Sequence, residues 1–268
     1  MKVKKGLAFH LESIRNVFSF FFFMGRKTRR TKVFYLISFF PFIMAMVIKF
    51  SQVFSFSRPI EGIVIFSNMI MVFYLQFLIL ILAIFFGTSI CSDEIESKTL
   101  TYLTTRPISK TAIILGKYAA YTLLTILMTL VGLFLSFLIL NVEHLLDLSL
   151  YRVLLRDSLV LILGLICYTS FFTLVGTFLK RSILFGLLFS FGWESVIQYF
   201  PGSTQRFAIV HYLKSLLPSP MGGRFSFLLF RLEPTPPGMA ALMLFIITGV
   251  FLFLAALFFS QKEYILQD

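Results

Sequence analysis

Glu194, in the string F-G-W-E-S, is an acidic residue set well inside a long apolar run, and it is the first candidate for chemistry. A carboxylate in lipid is costly, so it must face other helices or a watery cavity. Two roles fit: a polar element of a transport path or its external gate, or a buried hydrogen-bonding link to another helix. Gln76 sits in a second apolar run and is a lesser pathway or gate candidate, with Asn68 and Asn141 behind it. Trp193 fits an aromatic anchor at the membrane interface. The three histidines, His10, His144 and His211, are scattered, and no CxxC or metal-ligand spacing occurs, so no metal site is expected. Catalytic motifs are missing too. There is no GxxxxGK[ST] loop, since Gly25-Arg26-Lys27-Thr28 lacks the spacing, and neither HExxH nor GxSxG occurs. The expectation is no catalytic residue and no cofactor in this chain.

The densest polar punctuation lies between Ser92 and Lys117: S-D-E-I-E-S-K-T-L-T-Y-L-T-T-R-P-I-S-K-T-A-I-I-L-G-K. Asp93 with Glu96 three places on has the form of a capping box. Glu94 and Lys98 stand one turn apart in the favourable acid-first order. Leu100, Tyr102 and Leu103 give the predicted helix an apolar side, and Arg106 before Pro107 ends it near Thr104. Ser109 is the next natural N-cap, with Ile108 and Ile113 spaced as a hydrophobic staple. The spacing thus predicts a short charged helix held between two long apolar ones.

Those long elements follow from composition. Of 268 residues 58% are hydrophobic and 13% charged, and 36 are Phe. Apolar runs of about twenty residues recur, and in lipid only helices or closed barrels satisfy their backbone. Strand-like alternation is missing from them, so the chain reads as an all-α integral membrane protein. The net charge of +12 is expected to flank spans on the cytoplasmic side rather than bind nucleic acid. Cys91 and Cys167 fall at or within spans, so no disulfide framework is expected.

Residues 1–32 read as an amphipathic surface helix over 2–24, with Phe20 to Phe23 dipping into lipid, and then the basic cluster Arg26, Lys27, Arg29, Arg30 and Lys32. Six transmembrane helices are predicted over 33–48, 63–90, 111–140, 157–178, 182–200 and 238–259, with Pro41 placed to kink the first. Residues 91–110 form a cytoplasmic loop. Residues 201–237 form an external loop with a surface-lying helix over Phe207 to Leu217. The bias of Lys and Arg puts both termini in the cytoplasm, in a plasma (inner) membrane. A stand-alone channel or secondary transporter is the alternative reading; it would favour polar residues clustered at mid-membrane, and Glu194, nearly alone there, leans against it.

Glu94, Glu96, Thr99-Leu100, Arg106-Pro107-Ile108-Ser109-Lys110 and Ile114-Leu115-Gly116-Lys117 together resemble the permease subunits of type-2 ATP-binding-cassette (ABC) exporters. A looser similarity runs from Trp193-Glu194 through Pro201-Gly202 to His211-Tyr212-Leu213. The resemblance implies a half-transporter with an elbow helix before its spans. It would pair with a second copy or a homologous permease, and with a cytoplasmic subunit that binds ATP and Mg. Asp93, Glu94, Glu96, Lys98, Thr99, Leu100, Tyr102, Leu103, Arg106 and Pro107 would then form the coupling helix seated in that subunit.

Overall fold

The computed structural model describes residues 2–54, 61–96, 109–144, 146–179, 181–200, 202–217 and 234–261; among them the regular structure is helical, with no strand. Helix α1 (Lys2–Lys27) turns at Thr28 into α2 (Arg29–Ser38), which a break at Phe39 separates from α3 (Phe40–Phe54). The break falls two residues before Pro41, whose missing N–H and ring disfavour an unbroken helix through that turn. A single long element then comprises α4 (Gly62–Met69), a π-helical stretch (Ile70–Leu78) and α5 (Ile79–Glu96). Two 31-residue helices follow, α6 (Lys110–Leu140) and α7 (Leu148–Phe178). Helix α8 (Ser182–Leu188) runs into a second π stretch (Phe189–Glu194), and after two short 3-10 turns come α9 (Ile209–Leu216) and α10 (Pro237–Gln261).

Among the described residues five elements are long and apolar enough to cross a membrane: Arg29–Gln52, Gly62–Cys91, α6, α7 and α10. The span predicted over residues 182–200 is different. Its apolar helix, Ser182–Glu194, is shorter than the other five, and the backbone continues helically through a 3-10 turn to leave helical geometry at Phe200. Hydropathy sees an unbroken run there, but the ladder loosens to π geometry at Phe189 and tightens to a 3-10 turn at Ile197–Tyr199.

The core lies between α5 and α7. In the most apolar windows of α7 and of Gly62–Cys91, the element that contains α5, 67% of residues are buried, against 22% in the first and last crossing elements. Small residues allow that approach. A Cβ on Gly176 of α7 would stand 2.7 Å from the Thr88 carbonyl oxygen of α5, so the two backbones meet there. Tyr74, Phe66, Phe137, Tyr168 and Phe172 are buried in the apolar core along its length. Hydroxyls buried among them donate to carbonyls one turn back, as Thr88 does to Ile84, Thr173 to Thr169 and Thr248 to Leu244, so little polarity faces lipid.

The surface helix α1 is docked rather than loose. A Cβ on Gly116 of α6 would come within 2.7 Å of Val17 Cγ1 and 3.0 Å of the Ile14 carbonyl oxygen. The Phe run divides accordingly: Phe20 and Phe23 are exposed, while Phe21 turns inward to Tyr121, ring centroids 6.4 Å apart. Two contacts identify the ends of the bundle. Lys49 Nζ donates to Glu143 Oε1 at 2.8 Å, bringing the end of α3 to the turn after α6. That bond holds the exposed Glu143 carboxyl below its usual range. At the opposite end His10 reaches Ser109, and Lys110 Nζ lies 3.4 Å from the Ser260 carbonyl oxygen. The N-terminal helix and the end of α10 therefore share the end from which residues 97–108 emerge.

Candidate functional site: a capped half-helix and the base of the 91–110 segment

Glu194 is buried where the π stretch after α8 ends. Its Oε1 accepts from Tyr168 Oη of α7 at 2.5 Å and from the Val210 backbone N–H at 2.7 Å. Val210 lies in the first turn of α9, whose N-cap is Ala208, a residue with no side-chain acceptor. A carboxylate from another helix thus fills the place of the missing cap and faces the positive end of the helix. Oε2 makes no hydrogen bond among the described residues.

Gln198 extends the cluster. Its Nε2 donates to the Glu194 carbonyl oxygen at 2.7 Å, and its Oε1 accepts from Lys214 Nζ at 2.6 Å. Gln76 Nε2 stands 3.5 Å from the same Oε1, at the outer limit of a hydrogen bond. Gln205 Nε2 donates to the Gln198 carbonyl oxygen at 3.2 Å. Burial pushes the Lys214 ammonium down to about 8, against the pull of the Glu194 carboxylate. Both predicted pathway residues, Gln76 and Glu194, lie in π stretches, which concentrate at functional sites.

Glu194 is therefore not nearly alone. Tyr168, Gln198, Gln205 and Lys214 surround it, and no sequence pattern singled them out, because they converge from separate elements. The helix predicted to lie on a surface over Phe207 to Leu217 is α9, and it is buried among α7, α10 and the first π stretch. Two of its side chains are bonded there: His211 Nε2 sits 3.0 Å from Thr235 Oγ1, and Ser215 Oγ donates to the His211 carbonyl oxygen. The three histidines lie apart, and among the described residues no three His, Cys, Asp or Glu side chains group to hold a metal.

The second candidate region is the base of the 91–110 segment. Lys98, Thr99, Leu100, Tyr102, Leu103, Arg106 and Pro107 lie outside the described residues. Helix α5 runs without interruption to Glu96, so Asp93 stands within it and not at the start of a new helix. A capping side chain is a start signal only where the preceding backbone is non-helical, and Ile90-Cys91-Ser92 contains no breaker. Ser109 does cap α6, accepting from the Ala112 N–H at 3.3 Å. His10 Nε2 of α1 sits 2.9 Å from Ser109 Oγ and 3.2 Å from Thr111 Oγ1. Lys117, quoted above only as the end of a string, is buried. It donates to the Ile90 carbonyl oxygen of α5 at 2.8 Å and lies 4.7 Å from the Phe21 ring centroid. A lysine inside a 31-residue apolar helix was its available signal. Gly116 and Lys117 together lock α1, α5 and α6 at the root of the segment.

Residues 25–193 match the model of a protein family described as ABC-2 family transporter protein. No curated protein matches the chain.

Proposed function

The chain belongs to the ABC-2 transporter family and is a multi-pass permease subunit, and from that premise we propose that it is one half of an exporter driven by ATP hydrolysis in a separate subunit. That partner binds ATP and Mg in the cytoplasm, and the coupling residues from the end of α5 to Pro107 seat in it. A second copy or a homologous permease completes the pathway in the plasma (inner) membrane, with both termini cytoplasmic.

The observation that carries this reading is the clamp at the root of the segment. Lys117 joins α6 to α5 at 2.8 Å, and His10 joins α1 to the first turn of α6. A push on residues 97–108 would reach three elements as one body, the requirement for a rigid-body coupling device. The test replaces Tyr102 and Leu103 by Glu in the complex reconstituted with its ATP-binding subunit. Insertion should be unchanged, and substrate-stimulated ATPase activity should fall at least tenfold. Unchanged activity with unchanged association removes the coupling assignment.

One observation favours a second reading, a channel or secondary transporter working alone. The change from π to 3-10 geometry around Glu194 and the polar cluster there resemble the irregular helices that build transport sites. Flux through the purified chain in vesicles, without ATP or partner, would support that reading.

A further inference from the structure

The corner between α1 and α2 carries a feature that the transport reading does not use. Between Glu12 and Glu61 the sequence has no acidic residue, and Arg26, Lys27, Arg29, Arg30 and Lys32 crowd into seven positions. The backbone there is fixed. The Gly25 carbonyl oxygen accepts from the Thr28 N–H at 3.3 Å, and the hydroxyls of Thr28 and Thr31 lie 3.0 Å and 2.6 Å from it. Thr28 also caps α2. Arg30 turns inward, its guanidinium carbon 5.5 Å from the Phe86 ring centroid and 5.8 Å from that of Phe85. The other four cations are exposed, Arg26 with its guanidinium carbon 5.9 Å from the Phe22 ring centroid, and among the described residues none of them forms an ion pair. Beside them runs a shallow groove lined by Ser19, Phe20, Phe23, Met24 and Lys27. Phe20 is 60% exposed and Phe23 63%.

We propose that this corner is a docking site for an anionic phospholipid, its phosphate held among Arg26, Lys27, Arg29 and Lys32 and its acyl chain laid along Phe20, Phe23 and Met24. The two chemistries abut as they do in that ligand. Clustered cations beside a membrane helix attract anionic headgroups, and apolar side chains in the same face insert between acyl chains. A nucleic acid would use the charge but leave the Phe and Met side chains in water. The rigid turn means little ordering is required when the lipid arrives.

The test titrates the purified full chain in neutral detergent with fluorescent phosphatidylglycerol and, separately, with phosphatidylcholine. Each juxtamembrane cation contributes about fivefold in affinity, taking about 1 kcal/mol per residue. The phosphatidylglycerol preference should therefore drop at least tenfold in the R26Q/K27Q/R29Q/K32Q variant, and R26K/R29K should keep it. Gel filtration and the melting temperature show whether the variant is folded; if it is not, the single variant K27Q, expected to weaken binding about fivefold, replaces it. Equal affinity for the two lipids, or equal binding by wild type and variant, overturns the site. Full competition by inorganic phosphate alone would make it a small-anion site and overturn the lipid. Displacement of bound lipid by the ATP-binding subunit would assign the corner to a protein partner, with the same consequence.

Discussion

At the scale of single residues, Glu194 has its role defined by what it bonds. A pathway carboxylate should be poised toward open space, whereas Oε1 here is committed to Tyr168 and to the first turn of α9. The linking role is therefore present whatever else the residue does. Glu194→Ala removes the cap and leaves the Tyr168 hydroxyl buried without its acceptor, a combined cost of about 2–4 kcal/mol. Glu194→Gln keeps a carbonyl oxygen in place of Oε1 and should cost about 1 kcal/mol or less. Thermal unfolding in detergent should rank wild type, Gln and Ala in that order; equal losses for the two variants would mean that the charge and not the cap matters. The sequence marked Glu194 because a carboxylate in an apolar run is conspicuous. It could not mark Tyr168 or Gln198, because a tyrosine in a span and a glutamine after one are ordinary until the fold brings them together.

At the scale of elements, starts proved more legible than breaks. Ser109 was readable as a cap because Pro107 had already stopped the chain, whereas Asp93 followed residues with no reason to leave the helix. The π geometry over Phe189–Glu194 was not readable, since a shift from α to π changes hydrogen-bond partners and not hydropathy. The docking of α1 was hidden for a different reason, for it depends on Gly116 far along the chain. Gly116→Val would drive a side chain into Val17 and the Ile14 carbonyl, costing about 1–3 kcal/mol as overpacking does. Limited proteolysis should then release α1 faster, while Gly116→Ala should give a smaller effect in the same direction. Lys117→Met keeps the volume but removes the donor to the Ile90 carbonyl. In the complex it should lower the transport obtained per ATP hydrolysed, and coupling as tight as in the wild type would deny the clamp a mechanical role.

At the scale of the whole molecule, the chain is a membrane permease whose interior is built from α5 and α7, with the first and last crossing elements outermost. The outer position of those two elements leaves broad apolar faces for lipid or a second permease subunit. Composition made the helical membrane class legible, and the resemblance around residues 91–118 agrees with the family match over residues 25–193. The central proposal is that the end of the bundle where His10, Ser109 and Ser260 gather faces the cytoplasm and presents residues 97–108 to the ATP-binding subunit. Only Cys91 and Cys167 occur in the chain, both buried, so an added cysteine can be labelled over a low background. Tyr102→Cys should react with a membrane-impermeant maleimide only after cells are opened, and should be protected when the ATP-binding subunit is bound. Labelling of Tyr102→Cys in intact cells would put the segment on the far side of the membrane from ATP and contradict the account.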